Sequence, residues 1–311
     1  MTESKTRRIA LPTGVELDVT LGGPTEGTAD PIIFLHGFPE SRRTWRHQIA
    51  DLSRDHAVAA PDQRGYARSS KPAGIDAYRI DLLVADILAL ADACHFDRFT
   101  LAGHDWGGAV AWAAALKHPG RVARLVIANA PHPLLFQRSL LDVPAQAAAS
   151  QYINAFKSLA TTARLAAMSP ETFYDKSFAP HVDMSRVTVE DRAATIDEWA
   201  QDGALPAMLN WYRASALVIP APGETPPRPA WIDAPFPVLQ MPVLVVWGMR
   251  DTALLPVQLE GLDALVADLT LVRIPEAGHF VTWEAPGAVT DAIRGFLAAR
   301  PLPAQTLIVS G

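Results

Sequence analysis

Residues 31–35, Pro-Ile-Ile-Phe-Leu, form an apolar run too short for a helix and without the alternation of a strand that has one wet face. Such a run predicts a strand buried on both sides, as in parallel sheets sandwiched by helices. Residues 56–60, 99–102, 122–128, 243–247 and 269–274 read as further strands, and residues 45–52, 81–93, 108–116 and 288–298 as helices between or after them. A parallel sheet needs this alternation, because a crossover must carry the chain back before the next strand begins. Residues 14–19 alternate instead, as an edge strand with one wet face would. The expected fold class is therefore α/β, with a mostly parallel central sheet and helices on both faces.

From about residue 131 to 236 the rhythm breaks. Amphipathic helices are expected there, most clearly over 145–159 and 189–199, and no buried strand. The return is crowded with Pro220, Pro222, Pro226, Pro227, Pro229, Pro235 and Pro237, which lack the N–H that helices and central strands require. It reads as a stiff, extended connector. The expected organisation is one α/β core, residues 1–133 and 238–311, interrupted by a helical cap over 134–237 that covers one end of the sheet.

The 311 residues are 49 % hydrophobic and 19 % charged, which excludes a disordered or fibrous chain. A net charge of −6 argues against nucleic acid or an anionic membrane as partner. Cys94 is the single cysteine, so an intrachain disulfide and a cysteine metal cluster are both excluded, and an inert small hydrophobe is expected there. The first residues lack the apolar run of a signal peptide, and apolar stretches stop short of membrane-spanning length. A cytoplasmic enzyme is the expectation. The oligomeric state stays open, a homodimer being one alternative.

Gly103-His104-Asp105-Trp106-Gly107-Gly108 falls between a predicted strand and a predicted helix. Small residues on either side of Asp105 permit a sharp turn that lifts its side chain above the sheet, at the positive end of the helix. This is a nucleophile elbow with aspartate at its tip. A plain helix cap is the other reading of Asp105. Two later residues favour the elbow: Asp251 follows the strand at 243–247, and His279 follows the next strand in Ala-Gly-His-Phe. Nucleophile, acid and histidine thus come in order, each just past the carboxyl end of a strand.

With His36-Gly37-Phe38-Pro39 after the first buried strand, the chain resembles the α/β-hydrolase superfamily, and within it the epoxide hydrolase and dehalogenase branch that uses an aspartate nucleophile. The likeness runs from about Leu11 to Ala299 and includes Pro61-Asp62-Gln63-Arg64-Gly65-Tyr66 and Ser69-Ser70-Lys71-Pro72. A carboxylate attacking an ester would give a labile anhydride, whereas at an sp³ carbon it displaces a leaving group and forms an alkyl-enzyme ester. His279, oriented by Asp251, would then activate water against that ester, with the N–H groups of Phe38 and Trp106 as oxyanion donors. This chemistry requires no metal and no cofactor.

Opening an epoxide releases an alkoxide, which needs an acid; halide release needs only weak N–H donors. Tyr212, in Leu209-Asn210-Trp211-Tyr212-Arg213, is similar to a ring-opening lid tyrosine of epoxide hydrolases, and Tyr152, in Ser150-Gln151-Tyr152, to the other. Packing in the lid is the alternative role for both, and the expected one for Tyr174. The resemblance thus implies an epoxide hydrolase acting on a small-molecule epoxide. A haloalkane or haloacid dehalogenase is the alternative, since Trp106 would suit a halide. Against it, Phe38 stands where many haloalkane dehalogenases carry an amide, Asn129 occupies the position of an alternative carboxylate, and Trp106 and Ala109 stand where haloacetate dehalogenases carry arginines. A silent hydrolase-fold receptor is a third, remote reading.

His36, Phe38, Trp106, Trp211 and Phe280 are expected around the substrate. His36 and His104 lack a third metal ligand and read as supporting residues; Trp45, Trp112, Trp199, Trp247 and Trp283 read as packing, and Arg42 with Arg43 as a solvated helix face.

Overall fold

The computed structural model describes residues 4–24 and 31–301. Its eight strands are β1 (Lys5–Ala10), β2 (Glu16–Gly22), β3 (Ile32–Leu35), β4 (Val58–Pro61), β5 (Phe99–His104), β6 (Val122–Ala128), β7 (Leu239–Gly248) and β8 (Val266–Ile274). They form one sheet in the order β1-β2-β4-β3-β5-β6-β7-β8. The β1–β2 and β2–β4 pairs are antiparallel, and every pair from β4 to β8 is parallel.

The apolar run of β3 explains the layering. Ile33 and Leu35 face a core shared with α2 (Ile80–Ala93) and α3 (Trp106–Lys117), through Leu83, Ile87, Val110 and Ala111. Ile32 and Phe34 point the other way, into a core with Ile49 and Leu52 of α1 (Arg46–Leu52) and Ile293 and Phe296 of α12 (Pro286–Ala299). A strand with two buried faces has no room for polar alternation. At about 1.5–3 kcal/mol per buried large side chain, these two cores are the main favourable term holding the sheet.

Between β6 and β7 lie α4 (Pro133–Asp142), α5 (Pro144–Ala149), α6 (Gln151–Lys157), α7 (Leu159–Ala166), α8 (Pro170–Ser177), α9 (Val189–Trp199) and α10 (Ala204–Ala214), with no strand among the described residues. A short helix, α11 (Val281–Glu284), precedes α12. Several expectations need correcting. The strand at 14–19 is not an edge: β1 pairs along its whole length and takes the edge position. The helix expected over 145–159 is broken into α5, α6 and the start of α7, because the backbone leaves helical geometry at Ser150 (φ −91°, ψ 3°) and Ser158 caps α7. Gln146 Nε2 donates to Ser150 Oγ at 2.9 Å, and Ser158 accepts from Thr161 N as the N-cap of α7. Arg42 and Arg43 are not a solvated face either. Arg42 pairs with Asp62 and, at 3.0 Å, with Asp18, while Arg43 lies 3.5 Å from Glu198 and Arg46 3.2 Å from Asp191, both on α9. The Arg43 and Arg46 pairs tie α9 to the helical turn and α1 that follow β3.

Residues 220–228 of the proline connector line a groove of about 530 Å³ against α4 and α5, with neither Asp105 nor His279 in its wall. No helix among the described residues is long and apolar enough to cross a membrane. Burial pushes the Cys94 thiol up to about 12, so it carries no thiolate at neutral pH.

Candidate active site

β5 ends at His104 and α3 begins at Trp106, so Asp105 alone makes the turn, at φ 49° and ψ −121°. A non-glycine residue at positive φ is strained, and its surroundings must hold it there. Gly107 allows this, since a Cβ on it would strike the Leu35 carbonyl. Gly37 likewise lies so close that a Cβ would overlap the Asp105 carboxylate. The side chain of Asp105 is 11 % exposed. Its Oδ1 accepts the Phe38 N–H at 2.7 Å. Trp106 opens α3, where helix geometry leaves its N–H without an intrahelical acceptor. Burial alone would raise the Asp105 carboxyl, but His279, His104 and the Phe38 N–H hold it below the usual carboxylate range.

Asp251 and His279 follow β7 and β8. His279 Nδ1 lies 2.8 Å from Asp251 Oδ2, and its Nε2 faces Asp105 Oδ2 at 3.6 Å. Asp251 is fully engaged: Oδ1 accepts the N–H of Ala253 at 2.9 Å and of Leu254 at 2.8 Å, and Oδ2 accepts Asn129 Nδ2 at 2.8 Å as well as His279. Burial works against charge on His279, yet Asp251 and Asp105 together push it well above the usual histidine range.

Behind these three lies a second pair: His104, which the sequence places as a supporting residue, and Glu40, which it does not single out. His104 Nδ1 lies 2.6 Å from Glu40 Oε2 and its Nε2 2.8 Å from the His279 carbonyl, so each ring nitrogen faces an oxygen, an arrangement that favours the doubly protonated ring. Burial opposes the charge, but Glu40 raises His104 above its ordinary value. Trp283 Nε1 donates to Glu40 Oε1 at 2.7 Å. Glu40 has a signal in hindsight, being an acidic residue inside the apolar loop that follows β3. Asn129 had one too, as a polar residue at the end of the apolar β6.

The lid brings Tyr152 of α6 and Tyr212 of α10 over the carboxylate. Both line, with Asp105, a cavity of about 660 Å³ that also touches Trp106, Trp211 and Leu254. On the other side of Asp105 the same tyrosines line a cavity of about 1030 Å³ with Phe38, His279 and Phe280. Tyr212 is boxed by Phe38 at 5.1 Å, Trp106 at 5.2 Å and Phe156 at 5.0 Å between ring centroids. Burial, and then the Asp105 charge, push both phenols up, so both stay protonated. Trp211 Nε1 donates to the Arg64 carbonyl at 3.1 Å, which fixes the neighbouring Tyr212 against the core. Tyr174 lies elsewhere, buried against Phe178 and Trp199.

One expected pocket residue is displaced. His36 is fully buried and lines neither of these cavities. Its Nε2 accepts the Gln63 N–H at 3.0 Å while Nδ1–H donates to the Gly37 carbonyl at 3.0 Å. Burial lowers it to about 4, so it is a neutral brace behind the loop.

Comparison with known proteins agrees with this fold. A family model described as alpha/beta hydrolase fold matches residues 30–286, and the chain belongs to the α/β-hydrolase superfamily. It is 34 % identical over 285 residues to the AB hydrolase superfamily protein YfhM of Bacillus subtilis (strain 168), covering 91 % of this chain and 95 % of that protein. It is 30 % identical over 333 residues to epoxide hydrolase A of Mycobacterium tuberculosis (strain ATCC 25618 / H37Rv), covering 96 % and 98 %. Among solved structures, one described as novel epoxide hydrolases from metagenomes of hot environments superposes with a TM-score of 0.88 at 46 % identity, covering 95 % of this chain and 99 % of that one. Within the superfamily the chain falls in the epoxide hydrolase branch.

Proposed function

We propose that this protein hydrates a small-molecule epoxide to a vicinal diol without metal or cofactor. Asp105 Oδ2, unencumbered by a backbone donor, attacks an epoxide carbon; the C–O bond breaks and the oxygen leaves as an alkoxide that takes its proton from Tyr152 or Tyr212. The product is an ester on Asp105. Alkylation removes the Asp105 charge, one of the two causes that raise His279, so the imidazole becomes a better match for taking a proton from water. Hydroxide then adds to the ester carbonyl carbon, and the oxyanion is held by the Phe38 N–H, already on Oδ1, and by the Trp106 N–H. Collapse expels the ester oxygen of the diol as an alkoxide that takes the proton held by His279, and the second proton of the water, left on the Asp105 carboxyl, returns to the phenolate of Tyr152 or Tyr212, which restores the carboxylate and frees the diol.

The observation that carries the reading is the position of two protonated phenols and the aspartate on the same cavity walls. A halide would not need such acids. The test is diol formation from terminal and aryl-substituted epoxides by purified protein, with Asp105→Ala as blank. Diol that disappears in the variant supports the reading. Halide release from haloalkanes with no diol from any epoxide would replace it by dehalogenation.

A further inference from the structure

We propose that Asn129 is a positioning residue that sets the basicity of the His279–Asp251 pair through its amide, and that this contribution belongs to hydrolysis of the ester and not to its formation. The inference rests on the function proposed above.

Asn129 is fully buried at the end of β6, at φ 38°, a conformation that asparagine tolerates better than most residues. Its side chain bridges the last residue of β7 and the loop that follows it. Oδ1 accepts the Gly248 N–H at 2.8 Å, and Nδ2 donates to Asp251 Oδ2 at 2.8 Å and to the Gly248 carbonyl at 3.3 Å. Asp251 Oδ2 is the same oxygen that receives His279 Nδ1–H. The amide and the imidazole therefore compete for one oxygen. An amide hydrogen bond stabilises the carboxylate and reduces its demand for the imidazole proton. Without it, Asp251 would hold His279 more firmly in its charged form, and a charged His279 cannot accept a proton from water.

The other ionisable groups around His279 do not duplicate this control. Asp105 faces Nε2 and loses its charge on alkylation; His104 packs at 5.0 Å between ring centroids, with Glu40 behind it. His181 and Glu284 lie in the wall of the larger cavity, and Tyr152 reaches Asp251 only through its field. Asn129 alone donates a side-chain hydrogen bond to the oxygen that His279 uses, among the described residues.

The test separates the two chemical steps. Asn129→Gly removes the amide and accepts the positive φ. Asn129→Asp keeps an acceptor for the Gly248 N–H but, once ionised, offers no donor to Asp251. Single-turnover rates of ester formation and ester breakdown are followed from pH 6 to 9 for both variants and the parent. The expected result is ester formation within about 3-fold of the parent and breakdown slowed about 10-fold or more at pH 7 in both variants. In the glycine variant the pH midpoint of breakdown rises by about one unit or more. Breakdown at the parent rate and midpoint in Asn129→Asp overturns the proposal, whatever the glycine variant does. A parallel fall in both steps, with an unchanged midpoint, also overturns it and leaves Asn129 a packing residue. If the parent itself forms no ester, the proposed function fails first, and the two failures are told apart.

Discussion

Nε2 of His279 stands 3.6 Å from Oδ2 of Asp105, while Nδ1 of the same ring is 2.8 Å from Asp251. The imidazole is hydrogen-bonded to its acid and only close to the nucleophile. In the proposed reaction Asp251 thus serves orientation, and Asp105 keeps an oxygen for attack.

Removing the two halves of this arrangement should have different outcomes. Asp105→Ala should lower turnover by about 10³-fold or more, because no other carboxylate takes its place at the elbow. His279→Gln should stop at the ester. Its mass spectrum after substrate should show an adduct of the whole epoxide mass, since ring opening expels nothing. An adduct short by one hydrogen halide, formed from a haloalkane alone, would instead mark displacement. No adduct at all would count against the covalent route.

Tyr152→Phe and Tyr212→Phe should each slow ester formation about 10-fold or more, and the double variant about 10³-fold. Phenylalanine keeps the ring contacts with Phe38, Trp106 and Phe156, so the thermal midpoint of Tyr212→Phe should stay near the parent value. Unchanged single-turnover rates in both single variants would remove the phenols from the reaction.

Arg64 and Asp86 form a two-pronged pair inside the core, with both contacts at 2.6 Å and both side chains 4 % exposed or less. Thr13 Oγ1 adds a third bond to Asp86 at 2.6 Å. Asp86→Ala strands the buried guanidinium and should cost about 3–5 kcal/mol in denaturant unfolding. The Arg64 carbonyl anchors Trp211, so the same change should also raise KM by loosening the Tyr212 wall. A loss below about 1 kcal/mol would show that water compensates the charge.

His132 is buried between Trp112 and Phe236, neither ring nitrogen has a partner among the described residues, and burial lowers it to about 4. Below about pH 6.5 the unfolded chain takes up a proton that the folded protein refuses, so stability falls as pH drops from about 6.5 toward 4. The loss amounts to about 2–3 kcal/mol by pH 4. His132→Phe should lose that much less over the same range. Equal pH slopes for variant and parent in chemical denaturation would show that His132 does not carry the effect.

The buried strands were legible in the chain because a two-faced core forces unbroken apolar runs, as in Ile32–Leu35. Asp105, Asp251 and His279 were legible because each follows a strand in a motif whose glycines serve backbone geometry. The break at Ser150 was not, because the apolar period of the helix runs straight through it. Glu40, and the bond that Asn129 makes, were missed for a different reason. Their partners, His104 and Asp251, lie 64 and 122 residues away, and no local pattern encodes a contact made only by the sheet. His36 was misplaced because adjacency to Phe38 says nothing about which side of the loop a ring faces.

β6 and β7 are hydrogen-bonded neighbours, Leu125 beside Val243, although the whole lid is threaded between them. The lid therefore leaves and rejoins the sheet at adjoining points, and its length puts little strain on the scaffold. In the proposed reaction the proton donors for ring opening come from this loop, while the water-activating pair and the attacking carboxylate come from strand ends. Ancestral change could then rewrite which leaving group is served by editing one contiguous stretch of gene, with the ester-cleaving half inherited intact.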